Sequence, residues 1–367
     1  MPVNQSNYLD IKAQTVKGRY VVNSQIIKFL DDLKLNAVVE TVGYSVLQRP
    51  IKSITLGSGK HKVLMWSQMH GNESTTTKAV LDLLRFFESN DSLSSKLLET
   101  CTLKIIPILN PDGAEAYTRV NANAIDLNRD ALDRSQPESV VLRVVYEDFK
   151  PHFCFNLHDQ RTIFNVGETS KPATVSFLAP SHDAERTISE TRKISMQLIA
   201  AMNQKLQKII PGQIGRYDDG FNPNCVGDTF QMLNTPTILF EAGHYHEDYE
   251  REKTREYIYY ALQAALTCIG ENDIYSYSEK DYFKIPENNK LFFDIKIKNA
   301  QLIHASYTKD VGILLAEVLK GEQIFFEPRI EKVGCLEWYF GHQTFDCAIE
   351  TDFIALKNQK FWNLLQI

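Results

Sequence analysis

Short apolar runs alternate with helical periods between residues 24 and 269, and this alternation limits the fold more than any other feature. The runs that predict strands are 38–46, 51–56, 63–67, 103–108, 153–157, 175–179 and 237–240. The periods that predict helices are 24–36, with Ser24 as N-cap, and then 74–87, 140–149, 187–210 and 248–269. Strands that alternate with helices predict a three-layer α/β/α fold. Because helix 74–87 connects two strands, we expect a right-handed β-α-β crossover there.

The alternation of predicted strands and helices ends at residues 270–273. Residues 291–297 and 324–330 alternate between apolar and polar side chains, which predicts half-buried strands. Residues 314–319 fit a helix and a strand equally well. The sequence therefore predicts a catalytic-type domain over residues 1–275 and a small β-rich domain over residues 276–367. The second domain has no chemical motif, so we assign structural roles to His342 and Asp346.

Charge and composition exclude several classes of function. The formal net charge is −6, and no basic stripe is present, so we expect no nucleic-acid partner. Residues 1–5 have neither a basic nor an apolar segment, so no signal peptide is predicted. No apolar run approaches the ~20 residues that a membrane helix requires, so no membrane partner is expected. The six cysteines are scattered without a CxxC pair, which is typical of reduced cysteines and indicates the cytoplasm.

The stretch 67–73 places His70 and Glu73 three residues apart, between an apolar run and a helical period. Imidazole nitrogen and carboxylate oxygen both suit Zn²⁺, and catalytic zinc sites use three protein ligands and one open position. The small Gly71 allows a tight fold between the two side chains. A His and a Glu at this spacing also occur in ordinary loops, so the pair alone does not define a site.

Three further polar segments follow strands, where sites in open α/β sheets usually lie. Residues 110–113, Asn-Pro-Asp-Gly, predict a turn that leads to Arg119 and to Asp-Leu-Asn-Arg at 126–129. His158 ends one strand, and Glu241 ends another. Each segment alone has an ordinary structural explanation, but four such segments after four strands indicate one shared site.

In this order the motifs resemble the zinc carboxypeptidase family of the carboxypeptidase A type, in a bacterial, cytoplasmic form. The resemblance covers about residues 40–270 and rests on HGNE, NPDG, Arg-x-Asn followed by Asp-Leu-Asn-Arg, the strand-end His and the strand-end Glu. It implies a three-layer α/β/α fold with a mixed, mostly parallel central sheet. It also implies a hydrolase that binds one zinc ion.

The resemblance implies that His70, Glu73 and His158 ligate the zinc ion. It implies that Asp126 orients the first ligating histidine, because such a histidine usually donates its outer N–H to a carboxylate or carbonyl. For Asp126 a turn or capping role remains open.

Further roles follow from the same resemblance. Glu241 matches the general base, and Arg119 matches the residue that stabilises the oxyanion. Asn128 and Arg129 match the pair that binds a terminal carboxylate, although a structural salt bridge remains an alternative. Tyr217 is the nearest match to the family's substrate-contacting tyrosine, in a loop where the alignment slips.

Four other polar residues near these motifs have open roles. Asp159 narrows the pocket or binds a basic group. Asp228, within the 224–229 segment expected to select the side chain, favours a basic residue or caps a helix, and we favour the cap. For His244 and His246 we favour a surface or rim position over metal ligation.

The resemblance implies a metallocarboxypeptidase that hydrolyses the C-terminal peptide bond of a peptide with a free carboxylate. A zinc-dependent amidase or deacylase that acts on cell-wall peptides or N-acyl amino acids is the alternative. The HGNE motif also occurs in deacylases, whereas NPDG and Asp-Leu-Asn-Arg favour the carboxypeptidase. A non-catalytic binding protein would be expected to lack a ligand or Glu241, and all four residues are present. The sequence does not determine the oligomeric state.

Overall fold

The computed structural model describes residues 8–89 and 91–366, so the N-terminal stretch 1–5, where no signal peptide is predicted, lies outside the described residues. The strands are β1 Val38–Tyr44, β2 Pro50–Leu56, β3 His61–Ser67, β4 Cys101–Ile106, β5 Phe153–Asp159, β6 Asn165–Val166, β7 Val175–Leu178, β8 Ile214–Arg216, β9 Thr237–Ala242, β10 Asn288–Asn289, β11 Phe292–Lys298, β12 Asp310–Lys320, β13 Gln323–Gly334 and β14 Phe340–Asp346. The α-helices are α1 Tyr8–Ile11, α2 Asn23–Asp31, α3 Thr75–Glu88, α4 Ser92–Thr100, α5 Pro111–Ala116, α6 Pro137–Phe149, α7 Glu190–Leu206, α8 Val226–Met232, α9 Glu252–Gly270, α10 Glu279–Phe283 and α11 Glu350–Lys357. No helix among these is long and apolar enough to cross a bilayer.

Eight strands form one mixed sheet in the order β1-β2-β4-β3-β5-β9-β7-β8. Four of its neighbouring pairs are parallel, namely β3/β4, β3/β5, β5/β9 and β7/β8. The other three pairs are antiparallel. Helices α3, α7 and α9 share a core with one face of the sheet, and α6 and α8 share a second core with the other face. The predicted three-layer α/β/α fold is therefore confirmed.

The central strands have apolar residues on both faces because helices cover both sides of the sheet. Every residue of β5 is buried, and so are the last five residues of β3. This burial explains why the sequences of β3 and β5 are mostly continuous apolar runs and do not alternate between apolar and polar residues. The exceptions in β5 are three polar residues in its second half, Asn156, His158 and Asp159.

Near the first strands two local predictions were wrong and one helix was not predicted. The N-cap position of helix α2 lies two residues earlier than expected, at Val22 rather than at Ser24. The β3–β4 crossover contains a second helix, α4, whose start is capped by the Asp91 side chain accepting from the Leu93 amide. Residues 110–113 are the start of helix α5 and not a turn, because the Asn110 side chain accepts from the Gly113 amide and Pro111 takes the first helical position.

Helix α9 begins at Glu252 rather than at the predicted residue 248. Asp248 nevertheless determines this start, since its carboxylate accepts from the amides of Glu252, Lys253 and Thr254. An acidic side chain among the first free N–H groups stabilises a helix. The sequence pattern therefore placed the first turn of the helix four residues too early and did not identify Asp248 as the residue that caps it.

The C-terminal residues form a second sheet in the order β13-β12-β11-β14, with α11 beside it. The ambiguous run 314–319 lies in β12 and is a strand. A separate apolar core that includes Ile297, Val311 and Leu356 lies between this sheet and α11. The β-rich character expected after residue 276 is confirmed, whereas the boundary at 275/276 stays a prediction.

Two fully buried charges connect the N-terminal helix to the core. Arg255 on α9 donates to both carboxylate oxygens of Asp82 on α3, at 2.7 and 2.6 Å. Asp82 also accepts from the Tyr8 hydroxyl and the Ala13 amide. A buried ion pair of this kind costs desolvation free energy, but removing one partner leaves the other charge without compensation.

We therefore expect Asp82→Ala to lower the free energy of unfolding by about 3–5 kcal/mol, because Arg255 would stay buried with only the partly exposed Glu252 as a carboxylate partner. Urea denaturation followed by circular dichroism measures this change. Lys96→Ala is the control, since the Lys96–Glu271 pair is about half exposed and its loss should cost less than about 1 kcal/mol. Equal losses in both variants would contradict the assignment.

Candidate metal centre and active-site cleft

The site lies at the carboxyl ends of β3, β5 and β9, three adjacent parallel strands. In the β5–β9 register, His158 pairs directly with Glu241. The loop after β3 brings His70 and Glu73 to the same edge. Strands β5 and β9 end later than predicted, at Asp159 and Ala242. His158 and Glu241 are therefore part of the sheet and not of a loop.

His70, Glu73 and His158 converge, with one ligand atom from each within 4.8 Å of the others. The Nδ1 atoms of the two histidines lie 3.1 Å apart. The Glu73 carboxylate lies between them, with Oε1 at 2.8 Å from His70 Nδ1 and Oε2 at 2.8 Å from His158 Nδ1. All three side chains are buried, and all three line the cleft described below.

The outer nitrogen of His70 points to Asp126, with Nε2 at 3.0 Å from Oδ1. If this nitrogen has the proton, the inner Nδ1 presents a lone pair toward Glu73 and His158, as a metal ligand requires. Two imidazole nitrogens and a carboxylate are a donor set that fits Zn²⁺. The predicted cluster is therefore assembled in the structure, whereas the role of each residue as a zinc ligand stays a prediction.

The charges around this cluster affect the two histidines differently. Burial works against the charged form of His70, but the Glu73 and Asp126 carboxylates outweigh it and raise the pKa of His70. For His158, burial prevails and lowers the pKa, although Glu73 acts in the opposite direction. A neutral His158 is the form that ligates a metal ion.

Close backbone packing fixes the loop that contains His70 and Glu73. A Cβ atom on Gly71 would lie 1.9 Å from the carbonyl carbon of Gly113, so only glycine allows this loop to touch the start of α5. Asp159 accepts from the amides of Thr75 and Thr76 at 2.8 and 3.2 Å. It therefore caps helix α3 directly after Glu73, a role that neither sequence interpretation of Asp159 included.

Glu241 is a half-buried residue beside the metal cluster, and its Oε2 atom is buried. Its Oε2 atom has no hydrogen-bond partner among the described residues. Burial raises the pKa of Glu241 well above its usual range, and the negative charges of Glu73 and Asp159 raise it further, while Arg119 opposes them. A carboxyl group with a raised pKa and a free oxygen can accept a proton and later release it.

Arg119 lies at the entrance to the metal cluster. It donates through Nε to Asp126 Oδ2 at 3.0 Å and through Nη1 to Glu73 Oε1 at 3.3 Å. About half of its side chain is exposed. Asp126 thus contacts both His70 and Arg119, and its side chain also accepts from the Asn128 amide, so the capping role left open by the sequence coexists with the contact to the histidine.

Asn128 and Arg129 lie on the cleft wall formed by the short 3₁₀ turn after Asp126. The Asn128 side chain accepts from the Val226 amide at 3.2 Å. Arg129 donates to the Asn128 carbonyl and lies 2.9 Å from Cys225 Sγ. The guanidinium has no carboxylate partner in the part of the chain that the structure describes, so the structural salt bridge considered from the sequence is not formed.

Tyr217 lines the opposite wall and packs against Phe164, with ring centroids 5.3 Å apart. Burial raises the pKa of Tyr217, and the negative charges of Glu241 and Glu73 raise it further. Sequence reasoning did not identify Phe164 or Arg161, which also line the cleft. Both lie in the irregular segment after β5, which has no pattern that distinguishes it from an ordinary loop.

The cleft has a volume of about 360 Å³ and reaches from the metal cluster to the segment 225–228. Asp228 lies inside helix α8, where Cys225 occupies the N-cap position. The predicted helix-cap role for Asp228 was therefore wrong: the residue accepts from the Asn222 amide instead. Burial raises the pKa of Asp228 to about 7.

His244 is not a rim residue, as the sequence had suggested. It is buried, and its ring packs against His342 at 4.2 Å and Tyr249 at 4.7 Å between centroids. His342 lies 2.8 Å from the Thr162 carbonyl, which agrees with a structural role. His246 is exposed at the surface, as expected.

A buried arginine that sequence reasoning missed connects the ends of the two central strands. Arg251 donates to the carbonyls of Gln160 and Ala242, at 3.0 and 3.1 Å. These carbonyls lie just beyond His158 and Glu241. Burial and the nearby Arg19 lower the pKa of Arg251 to about 10. The guanidinium therefore fixes both strand ends without touching the cleft.

Comparison of the fold with solved structures identifies metallocarboxypeptidases. A metallo-carboxypeptidase from Burkholderia cenocepacia superposes with a TM-score of 0.56 at 18% identity, over 68% of this chain and 70% of that one. A Pseudomonas aeruginosa metallo-carboxypeptidase in complex with (2-guanidinoethylmercapto)succinic acid gives 0.55 at 17% identity, over 68% and 69%. At such identities the likeness establishes the fold.

The zinc carboxypeptidase family model matches residues 26–209, and the chain belongs to this family. Carboxypeptidase 2 of Trichophyton tonsurans is 31% identical over 114 residues, which is 30% of this chain and 20% of that protein. The chain matches about a fifth of the length of the first curated relatives.

If the cluster binds zinc, His158→Ala should abolish binding and Asp126→Asn should weaken it by about 10–100-fold, because Asp126 orients His70. Competition with a chromogenic chelator measures the affinity, and elemental analysis after dialysis gives the stoichiometry. His246→Ala, which removes an exposed histidine, is the control and should bind like the wild type. Unchanged affinity in His158→Ala would eliminate this site.

Proposed function

We propose that the protein is a zinc-dependent metallocarboxypeptidase that hydrolyses the C-terminal peptide bond of a peptide. The observation that supports this best is the position of Glu241, which is paired in register with His158 and has one buried carboxylate oxygen without a hydrogen-bond partner among the described residues. A carboxyl group at that position is ready to act on a water held beside His70, Glu73 and His158. Family membership supports the same reaction class.

The three residues fit a single zinc ion because both Nδ1 atoms and the Glu73 oxygens face one space. Zinc bound there would supply Lewis acidity toward the scissile carbonyl and lower the pKa of water to about 7. It would also neutralise the acidic surroundings of Glu241.

Glu241 then acts as the general base. It takes the proton from the attacking water and transfers that proton to the leaving amine. Its buried position favours the protonated intermediate state, because desolvation and the nearby Glu73 disfavour the carboxylate. General acid–base catalysis of this kind contributes about 10²–10⁴-fold to a rate.

Arg119 stabilises the negative charge that develops on the scissile carbonyl oxygen. Its guanidinium lies within hydrogen-bond distance of Glu73 and Asp126, at the entrance to the cluster. Asp126 contacts Nε and Nη2, and Glu73 contacts Nη1, so these two carboxylates hold the guanidinium in place on the lining of the cleft. A donor fixed in advance stabilises a transition state without reorganisation during the reaction.

Arg129 and Asn128 bind the terminal carboxylate of the substrate. Arginine pairs with a carboxylate through two parallel hydrogen bonds. Arg129 lacks a carboxylate partner among the residues described, and its present contacts are the Asn128 carbonyl and Cys225 Sγ. These are weaker partners than a carboxylate, so a substrate terminus can displace them. Tyr217 covers the bound residue from the opposite wall.

The terminal side chain of the substrate extends toward Asp228 and Gly227 at the far end of the cleft. With a pKa of about 7, Asp228 is partly ionised near neutral pH and is suited to meet a basic side chain. The cytoplasm is the proposed location, and the six free cysteines support it.

The activity is tested with purified zinc-loaded protein on a panel of peptides, N-acyl amino acids and murein tripeptide. We expect release of the C-terminal residue from peptides, and Glu241→Gln should lower kcat by about 10²–10⁴-fold while zinc is retained. Wild-type rates in Glu241→Gln would remove this residue from the mechanism. Exclusive cleavage of N-acyl amino acids or murein tripeptide would replace the carboxypeptidase by the amidase or deacylase alternative.

Arg129→Ala should weaken kcat/KM for peptides with a free C-terminus by about 10–100-fold, because two charge-assisted hydrogen bonds are lost. The same peptides with an amidated C-terminus should be affected much less. Arg134→Ala serves as the control, since Arg134 is exposed and is not part of the cleft lining. Equal losses for both peptide forms would mean that Arg129 does not bind the carboxylate.

A further inference from the structure

Strands β12 and β13 continue beyond the C-terminal sheet as a two-stranded hairpin. Strand β11 pairs with β12 only at residues Val311, Gly312 and Ile313. Beyond these residues, β12 stays paired with β13 as far as Lys320 opposite Gln323. Residues 314–329 are called the hairpin arm here. Because an isolated two-stranded ribbon is only marginally stable, contacts with the rest of the chain must hold the arm.

Glu317 connects the arm to two residues of the large domain. Its carboxylate lies 3.2 Å from Nη2 of Arg19 and accepts a hydrogen bond from the hydroxyl of Tyr117. Arg19 is only 5% exposed, and its Nε and Nη1 atoms have no hydrogen-bond partner among the residues that the structure describes. Glu317 is therefore the carboxylate that directly compensates a buried guanidinium.

The segment around Arg19 lies along the loop that contains the predicted zinc ligands. The Arg19 carbonyl accepts from the Ser74 hydroxyl at 2.6 Å, one residue after Glu73. The Val21 carbonyl accepts from the Gln68 side chain at 2.7 Å, two residues before His70. Both ends of the metal-binding loop thus contact the segment that Glu317 holds.

Tyr117, the second partner of Glu317, precedes Arg119 by two residues. It ends helix α5 in the left-handed conformation, with φ at 53°, which fixes the direction of the chain toward Arg119. The Tyr117 ring is 9% exposed, whereas Arg119 is about half exposed and is held by Asp126 and Glu73. The position of the Arg119 backbone therefore depends on the buried tyrosine.

We propose that Glu317 is a positioning residue for hydrolysis. Through Tyr117 it holds Arg119 at the place where the oxyanion develops, and through Arg19 it holds the loop of His70 and Glu73. The C-terminal sheet is then a part of the catalytic apparatus rather than an independent appendage. The inference rests on the proposed function, since it assigns Glu317 to the same reaction.

The first test compares Glu317→Ala, Tyr117→Phe and the double variant with the wild type on a peptide substrate. We expect kcat to fall about 10–100-fold in each single variant, because small displacements of catalytic groups have effects of this size. KM should stay within about twofold, since Arg129 is untouched. The double variant should lose no more than Glu317→Ala, as two partners of one contact are not additive.

Two further variants separate positioning from folding. Glu317→Gln keeps an acceptor oxygen and should restore a large part of kcat. Glu327→Ala removes another glutamate of the arm, which pairs with Lys320 at 2.7 Å at the surface, and should behave like the wild type. Unchanged kcat in Glu317→Ala, or an equal loss in Glu327→Ala, would overturn the proposal. If Glu317→Ala does not fold, Tyr117→Phe alone decides.

A measurement independent of activity uses hydrogen exchange in the zinc-loaded protein. Amides of residues 117–129 should exchange faster in Tyr117→Phe and Glu317→Ala than in the wild type and in Glu327→Ala. If the wild type hydrolyses none of the tested substrates, the proposed function fails, and the exchange rates still decide whether Glu317 holds this loop. Unchanged exchange would overturn the positioning role in either case.

Discussion

The pairing of β5 with β9 is the constraint on which the rest of the structure depends. Because the two strands are parallel and adjacent, His158 and Glu241 lie side by side at the same edge of the sheet. Side chains held by a sheet are placed more precisely than side chains on a loop. The loop after β3 then has only to bring His70 and Glu73 to a place that the sheet has already defined, and Arg251 fixes the ends of both strands beyond it.

Three acidic side chains, Glu73, Asp159 and Glu241, lie close together at this edge of the sheet. Their mutual repulsion explains much of the arrangement of charges there. Asp159 and Glu241 have raised pKa values because burial and neighbouring carboxylates disfavour their charged forms. Glu73 has a lowered pKa because two histidines outweigh its burial. A divalent cation among the ligands would relieve the repulsion. The protein compensates part of the remaining charge with arginines, including Arg19, which lies near Asp159.

The second sheet connects to this arrangement through one acidic side chain. Glu317 joins a buried arginine and a buried tyrosine, and these two residues belong to the segments that flank the metal cluster. The aromatic contact between Tyr249 and Phe326, at 5.4 Å between ring centroids, adds apolar packing to the same contact region. A domain that the sequence presents as having no chemical motif thereby reaches the residues proposed to act in catalysis.

The sequence by itself determined the α/β alternation and the order of the motifs, because apolar runs and helix periodicity are local properties of the chain. The set of residues expected to meet at the site followed from the resemblance of these motifs to the zinc carboxypeptidase family. Sequence reasoning misread Asp228 as a cap and His244 as a rim residue, since burial depends on what packs against a residue from elsewhere. It left residues 314–319 undecided because β-pairing determines a strand as much as its own pattern does. Only the tertiary structure decided that Glu317 contacts Tyr117, which lies 200 residues away; a hydrogen bond between such distant positions leaves no periodicity or spacing in the sequence.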